Sequence, residues 1–157
     1  ELAPNTSLLW LDKNPITDIS PIARLHRLRF LSIENMQIKS LDALSGINSL
    51  TNLYIGSTPI RDIIPLSNMT LLQNLSLSNT AVDNVDALRG CSQLKWLSLR
   101  GTSVKDLSAL MDLTNLIVIT FPEGIPENQR HYFSARAKAL QESKRNMKIE
   151  RESTRKP

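Results

Sequence analysis

The chain has 157 residues, of which 22% are charged and only 4% aromatic, with a formal net charge of +4. No apolar run approaches the roughly 18 residues of a membrane span, no signal-peptide pattern is present, and one cysteine excludes an internal disulfide framework. The positive excess is local: residues 1–129 carry ten Lys and Arg against twelve Asp and Glu, whereas residues 130–157 carry nine against three.

Glu1 to Asn5 are too few to form a dedicated cap, and the chain opens on Glu1 rather than Met, as a processed or trimmed product would. From Thr6 a 22-residue pattern sets in. Leu97 steps back by 22 onto Leu75, Leu53, Leu31 and Leu9, and forward onto Ile119; Leu99 steps back onto Leu77, Ile55, Ile33 and Leu11. Val104, Leu107 and Leu110 project backwards in the same way, through Val82, Val85 and Leu88 to Ile16, Ile19 and Ile22. A fixed period of this length marks a solenoid, in which each coil buries its apolar face only against its neighbours. An uncapped solenoid end exposes a slice of core, so chain preceding Glu1 is expected.

Later repeats start at Leu28, Leu50, Leu72 and Leu94. In each, an L-x-L segment predicts a short strand whose apolar pair, at repeat positions 4 and 6, points inward while positions 3, 5 and 7 point outward. Six such strands stacked in parallel span about 24 Å at about 4.8 Å each. Position 9 holds Asn14, Met36, Thr58, Thr80 and Thr102, where Asn or Thr can bond the turning backbone. Asp18, Asp62 and Asp106 then precede Ile-Ser-Pro, Ile-Ile-Pro and Leu-Ser-Ala and predict N-caps of short 3₁₀ segments rather than metal ligands. Cys91 shares a column with Leu25, Ile47, Met69 and Leu113, as a small core hydrophobe.

The period breaks after Phe121. Pro122, Gly124 and Pro126 stop the strand, and Pro126-Glu127-Asn128 opens a helix. Phe133, Ala137 and Leu140, flanked by Tyr132, Ala135 and Ala139, form an apolar stripe expected to cover the last coil. The expected organisation is a repeat domain over residues 1–125, a capping helix over 126–147 and a basic disordered tail over 148–157.

The pattern L-x-x-L-x-L-x-x-T-x-V-x-D-L-x-x-L-x-x-L, repeated from residue 6 to about 121, resembles the 22-residue leucine-rich repeats of bacterial internalins and of the regulatory subunit of protein phosphatase 1. The resemblance implies an α/β solenoid: a right-handed superhelix with a parallel concave sheet, short 3₁₀ convex segments and a C-terminal α-helical cap. It also implies a bacterial surface or secreted protein that binds a host or competitor protein. The alternatives are a cytoplasmic regulatory subunit acting on an enzyme, or the recognition segment of a longer effector.

Motifs for catalysis are absent: there is no G-x-S-x-G, H-E-x-x-H or phosphate loop, the five glycines are scattered, and two histidines leave no metal or cofactor site in prospect. The residues the repeat does not need are the outward strand positions. They hold four of the seven aromatics, Trp10, Phe30, Tyr54 and Trp96, where the coil itself gives them nothing to pack into. Rings in register on a rigid face mark a site for a protein partner. Asn52, Asn74, Asp12, Glu34 and Arg100 share that face, with acids at the N-terminal end and Arg100 and Lys95 at the other, an arrangement that would orient the partner. The basic tail is not read as a nucleic-acid or anionic-membrane site, because Glu142, Glu150 and Glu152 interrupt it and no aromatics are interleaved.

Overall fold

A computed structural model describes residue 3 and residues 5–153, with side chains as far as residue 146 apart from that of residue 144. Six three-residue strands, β1 (Leu8–Trp10), β2 (Phe30–Ser32), β3 (Asn52–Tyr54), β4 (Asn74–Ser76), β5 (Trp96–Ser98) and β6 (Val118–Thr120), form one parallel sheet in sequence order. The register is the 22-residue step itself: Leu9 pairs with Leu31, Leu53 with Leu75 and Leu97 with Ile119. Short 3₁₀ segments (Ser20–Arg24, Asp42–Leu44, Ile64–Leu66, Asp86–Gly90 and Ser108–Leu110) run back along the opposite, convex side. The result is a leucine-rich repeat solenoid.

Each coil is held by the same few residues. Inward positions 4 and 6 are shut off from solvent from Leu31 and Ile33 through to Leu97 and Leu99. Burying one such side chain stabilises the coil by about 1.5–3 kcal/mol. After each strand the chain turns at repeat position 8 through a left-handed residue: Lys13, Asn35, Ser57 and Asn79 have φ of 56–59°, and Gly101 has 70°. At position 9 the hydroxyls of Thr58, Thr80 and Thr102 each donate to the carbonyl three residues earlier at 2.7 Å, and the Asn14 amide does the same to Leu11 at 2.9 Å. Threonine thus closes this turn as tightly as asparagine does.

The aspartates bond the 3₁₀ segments from one residue further back than an N-cap. Asp18, Asp62 and Asp106 accept the backbone N–H two residues on at 2.8–2.9 Å, while the cap positions proper are Ile19, Ile63 and Leu107. Ser40 and Asn84 do the same in the intervening coils. The column is therefore one of side chains that mimic a backbone turn, not of acids as such.

The ends are less well covered than the middle. Leu9 and Leu11 are only partly buried and Ile16 is exposed in the first coil; Ile119 and Phe121 are partly buried in the last. The C-terminal helix α1 (Glu127–Ser153) closes the second end, and it runs beyond the expected limit at residue 147. The remainder of the expected tail, residues 154–157, lies outside the described residues. Its covering stripe is narrower than expected. Only Phe133 is buried, packed toward Phe121 with ring centroids 6.4 Å apart, while Ala137 and Leu140 are half-buried and Tyr132, Ala135 and Ala139 are exposed.

Polar side chains carry much of the attachment. Gln129 accepts from Leu107 N–H and donates to Asp106, Tyr132 and Arg136 donate to the Met111 carbonyl, and Arg136 also donates to the Leu113 carbonyl. These side chains pair backbone groups at the open edge of the last coil. Arg130 lies over the Phe121 ring at 5.7 Å.

Candidate functional site

The outward face of a short strand offers two or three side chains per coil, and stacking turns those into columns. Position 3 supplies Phe30, Asn52, Asn74 and Trp96; position 5 supplies Trp10 and Tyr54, with Ser32, Ser76 and Ser98 between and beyond them. Because the aromatics alternate between the two columns, their rings lean across strand boundaries and meet. Ring centroids are 4.5 Å apart for Trp10 and Phe30, 5.5 Å for Phe30 and Tyr54, and 6.3 Å for Tyr54 and Trp96, each pair tilted by 40–46°. All four expected aromatics thus join into one row that crosses five strands. Trp10 is 59% exposed at its open end and the other three are half-buried.

Small residues make the row possible. Ser32 lies in register between Trp10 and Tyr54 and is nearly shut off from solvent, although it stands on the outward face. Its hydroxyl donates to Asp12 at 2.7 Å. Ser78 and Ser98 share a hydrogen bond at 2.7 Å further along. Asn52 and Asn74 stand half-buried on neighbouring strands, and the Thr51 hydroxyl donates to the Asn52 side-chain amide oxygen Oδ1 at 2.8 Å.

The charged residues lie beside the row at position 7. Asp12 accepts from the Glu34 backbone N–H at 2.8 Å as well as from Ser32, which fixes its carboxylate. Glu34 folds toward Gly56, where a Cβ would come within 2.8 Å of its carboxylate oxygen; glycine gives it room. Partial burial and the neighbouring Asp12 charge push the Glu34 carboxyl above its ordinary value, and the Gly56 backbone offsets part of that shift. Arg100 is exposed at the opposite end, and Lys95 donates to the Gln73 side chain at 3.0 Å. The nine residues singled out from the sequence therefore share one face, with the acids at its N-terminal end and the cation Arg100 towards its C-terminal end.

Two contributors escaped the sequence reading. Ser32 is the buried floor that anchors Asp12, and Gly56 is the gap that admits Glu34. Ser32 stands between Trp10 and Tyr54 in its column and Gly56 follows Glu34 in its own, so a small residue beside an aromatic or an acid is the available signal.

Cys91 is buried among the coils, and burial pushes its thiol up to about 11, so it stays protonated and unreactive at neutral pH. Among the described residues no three His, Cys, Asp or Glu are grouped to hold a metal ion, and no helix is long and apolar enough to cross a membrane.

No protein-family model and no curated protein sequence matches the chain. Solved structures do. An internalin (inlF) of Listeria monocytogenes superposes with a TM-score of 0.75 at 28% identity over 81% of the chain, and internalin C2 of the same organism with 0.73 at 29% over 74%. A leucine-rich repeat protein of Leptospira interrogans superposes with 0.74 at 20% identity over 85%, a likeness of fold. The chain spans 38%, 52% and 36% of these three structures.

Proposed function

We propose, on the premise that the chain is a leucine-rich repeat protein with internalin-like coils, that it is a non-enzymatic recognition module binding a partner protein through its concave sheet. The observation that carries this reading is the unbroken row Trp10–Phe30–Tyr54–Trp96. Aromatic rings bring large contact area at a small cost in side-chain freedom, and Trp and Tyr are over-represented among residues that dominate binding energy. The sheet on which they stand is already ordered, so association requires little rearrangement. Likeness to two Listeria internalins supports a bacterial, surface or secreted setting, in which the partner is a host or competitor protein.

The test is affinity capture from host-cell and bacterial lysates, run with the wild type beside a Tyr54→Ala/Trp96→Ala variant of matched thermal stability. A protein retained by the wild type and lost by the variant supports the reading. Partners retained equally by both would move the site off the sheet.

A further inference from the structure

We infer that the N-terminal end of the concave face is a subsite for an arginine side chain presented by the partner, stacked on the Trp10–Phe30 rings with its guanidinium facing the Asp12 and Glu34 carboxylates. The inference rests on the concave-face reading above and specifies the chemistry of its occupant.

The argument is one of charge complementarity on a shaped surface. Asp12 and Glu34 stand on adjacent coils at the same repeat position, joined by the Glu34 N–H to Asp12 hydrogen bond of 2.8 Å. The two like charges repel: partial burial, and after it the Asp12 charge, push the Glu34 carboxyl above its ordinary value. Among the described residues the ion pairs are Arg61–Asp83 and Arg89–Asp86, so neither carboxylate has an ion-pair partner among them. A cation arriving between them would relieve that repulsion.

The neighbouring rings select which cation. Trp10 is more than half exposed and tilted against Phe30, offering an aromatic face beside the acids. Guanidinium stacks on aromatic faces and pairs with carboxylates in a planar fork, whereas ammonium is a strongly hydrated point charge. The acids are also held in place before binding: Ser32 fixes Asp12, and the space at Gly56 accommodates Glu34. With Arg100 towards the other end, the row would favour one direction of a segment whose charge runs from basic to acidic.

The chain has two tryptophans, one at each end of the row, which makes their indole N–H resonances a built-in comparison. The full chain is titrated with the end-blocked peptide Gly-Gly-Arg-Gly-Gly, then with the same peptide carrying citrulline, the neutral isostere, in place of arginine. The arginine peptide is expected to shift the Trp10 signal well before that of Trp96 and to bind at least about fivefold tighter than the citrulline peptide, the scale of one cation–aromatic contact. An Asp12→Asn/Glu34→Gln variant is expected to bring the two peptides together, and rising salt to do so progressively. Equal binding of both peptides by the wild type overturns the cationic assignment while leaving the aromatic surface to the capture experiment. Binding of neither peptide, or a preference for arginine that survives in the variant, overturns it as well.

Discussion

Tyr54 and Trp96 stand on strands that are not neighbours, β3 and β5, yet their ring centroids lie 6.3 Å apart. The strand between them carries Asn74 and Ser76, short side chains over which the two rings reach. Side chains that touch one another but do not enter the core should be separable from folding. Trp96→Ala, which loses one tilted aromatic pair, is expected to change unfolding free energy by about 1 kcal/mol, and Tyr54→Ala, which loses two, by up to about 2 kcal/mol. Leu75→Ala, in the solvent-free inner column of the same region, should cost about 2–5 kcal/mol. Urea denaturation of the three variants checks the contrast, and equal losses would place the rings in the core.

Threonine at repeat position 9 makes a second separable contribution. Thr80 is buried and donates to the Leu77 carbonyl at 2.7 Å. Thr80→Val keeps the shape and removes the donor, and should cost about 1 kcal/mol because the Leu77 carbonyl is left with only the longer Thr80 N–H bond of 3.3 Å. Met36 occupies the same position without such a bond, so Met36→Thr is expected to lower stability less than an ordinary core truncation would. Denaturant midpoints at constant m-value measure both.

Acid should loosen the C-terminal end first. Hydrogen bonds from Ser108 and Gln129 hold the Asp106 carboxyl at about 2, below its ordinary 3.8. A depressed carboxyl contributes stability that is complete above the unfolded value and is lost as pH falls through the folded value. The Asp106–Gln129 latch should therefore hold at pH 5 and fail progressively between about pH 4 and pH 2. Asp18, also depressed by its bonds to Ser20, faces no helix, so its loss should affect the first coil alone. Amide exchange at Leu107 and Ser108 followed against pH reports the latch directly, and Asp106→Asn should flatten the profile.

Phe133 is the one buried side chain in the described part of α1. Phe133→Ala should cost about 3 kcal/mol, at the low end for a buried ring because the partly covered Phe121 can settle into the space. Helical circular dichroism should fall along with protection of the last coil, while the central coils keep theirs, since solenoid stability is transmitted only between neighbours. Uniform loss of protection across all coils would contradict that locality.

The 22-residue period made the fold legible, because every inward column is apolar and one slip would have put Leu77 or Val82 on the wrong face. The aromatic face was legible for the same reason: register follows from the repeat, so Trp10, Phe30, Tyr54 and Trp96 could be assigned outward. That their rings would join was not, since it depends on how far each leans over Ser32 and Ser76. The polar fastening of α1 was hidden because Gln129 and Arg136 look like solvated helix residues until the last coil's free backbone groups lie beside them. Asp106 read as a cap because a turn-mimicking aspartate and a capping one differ by a single residue of offset.

The most direct measurement is calorimetry of the captured partner against three forms of the chain. These are the wild type, Tyr54→Ala/Trp96→Ala, and Ile64→Ala, which trims a side chain that is 68% exposed on the opposite, convex side. The account predicts that the aromatic pair costs about 2 kcal/mol or more of binding free energy, while Ile64→Ala binds as the wild type does. Undiminished binding by the aromatic variant together with weakened binding by Ile64→Ala would contradict it and place the partner on the convex side.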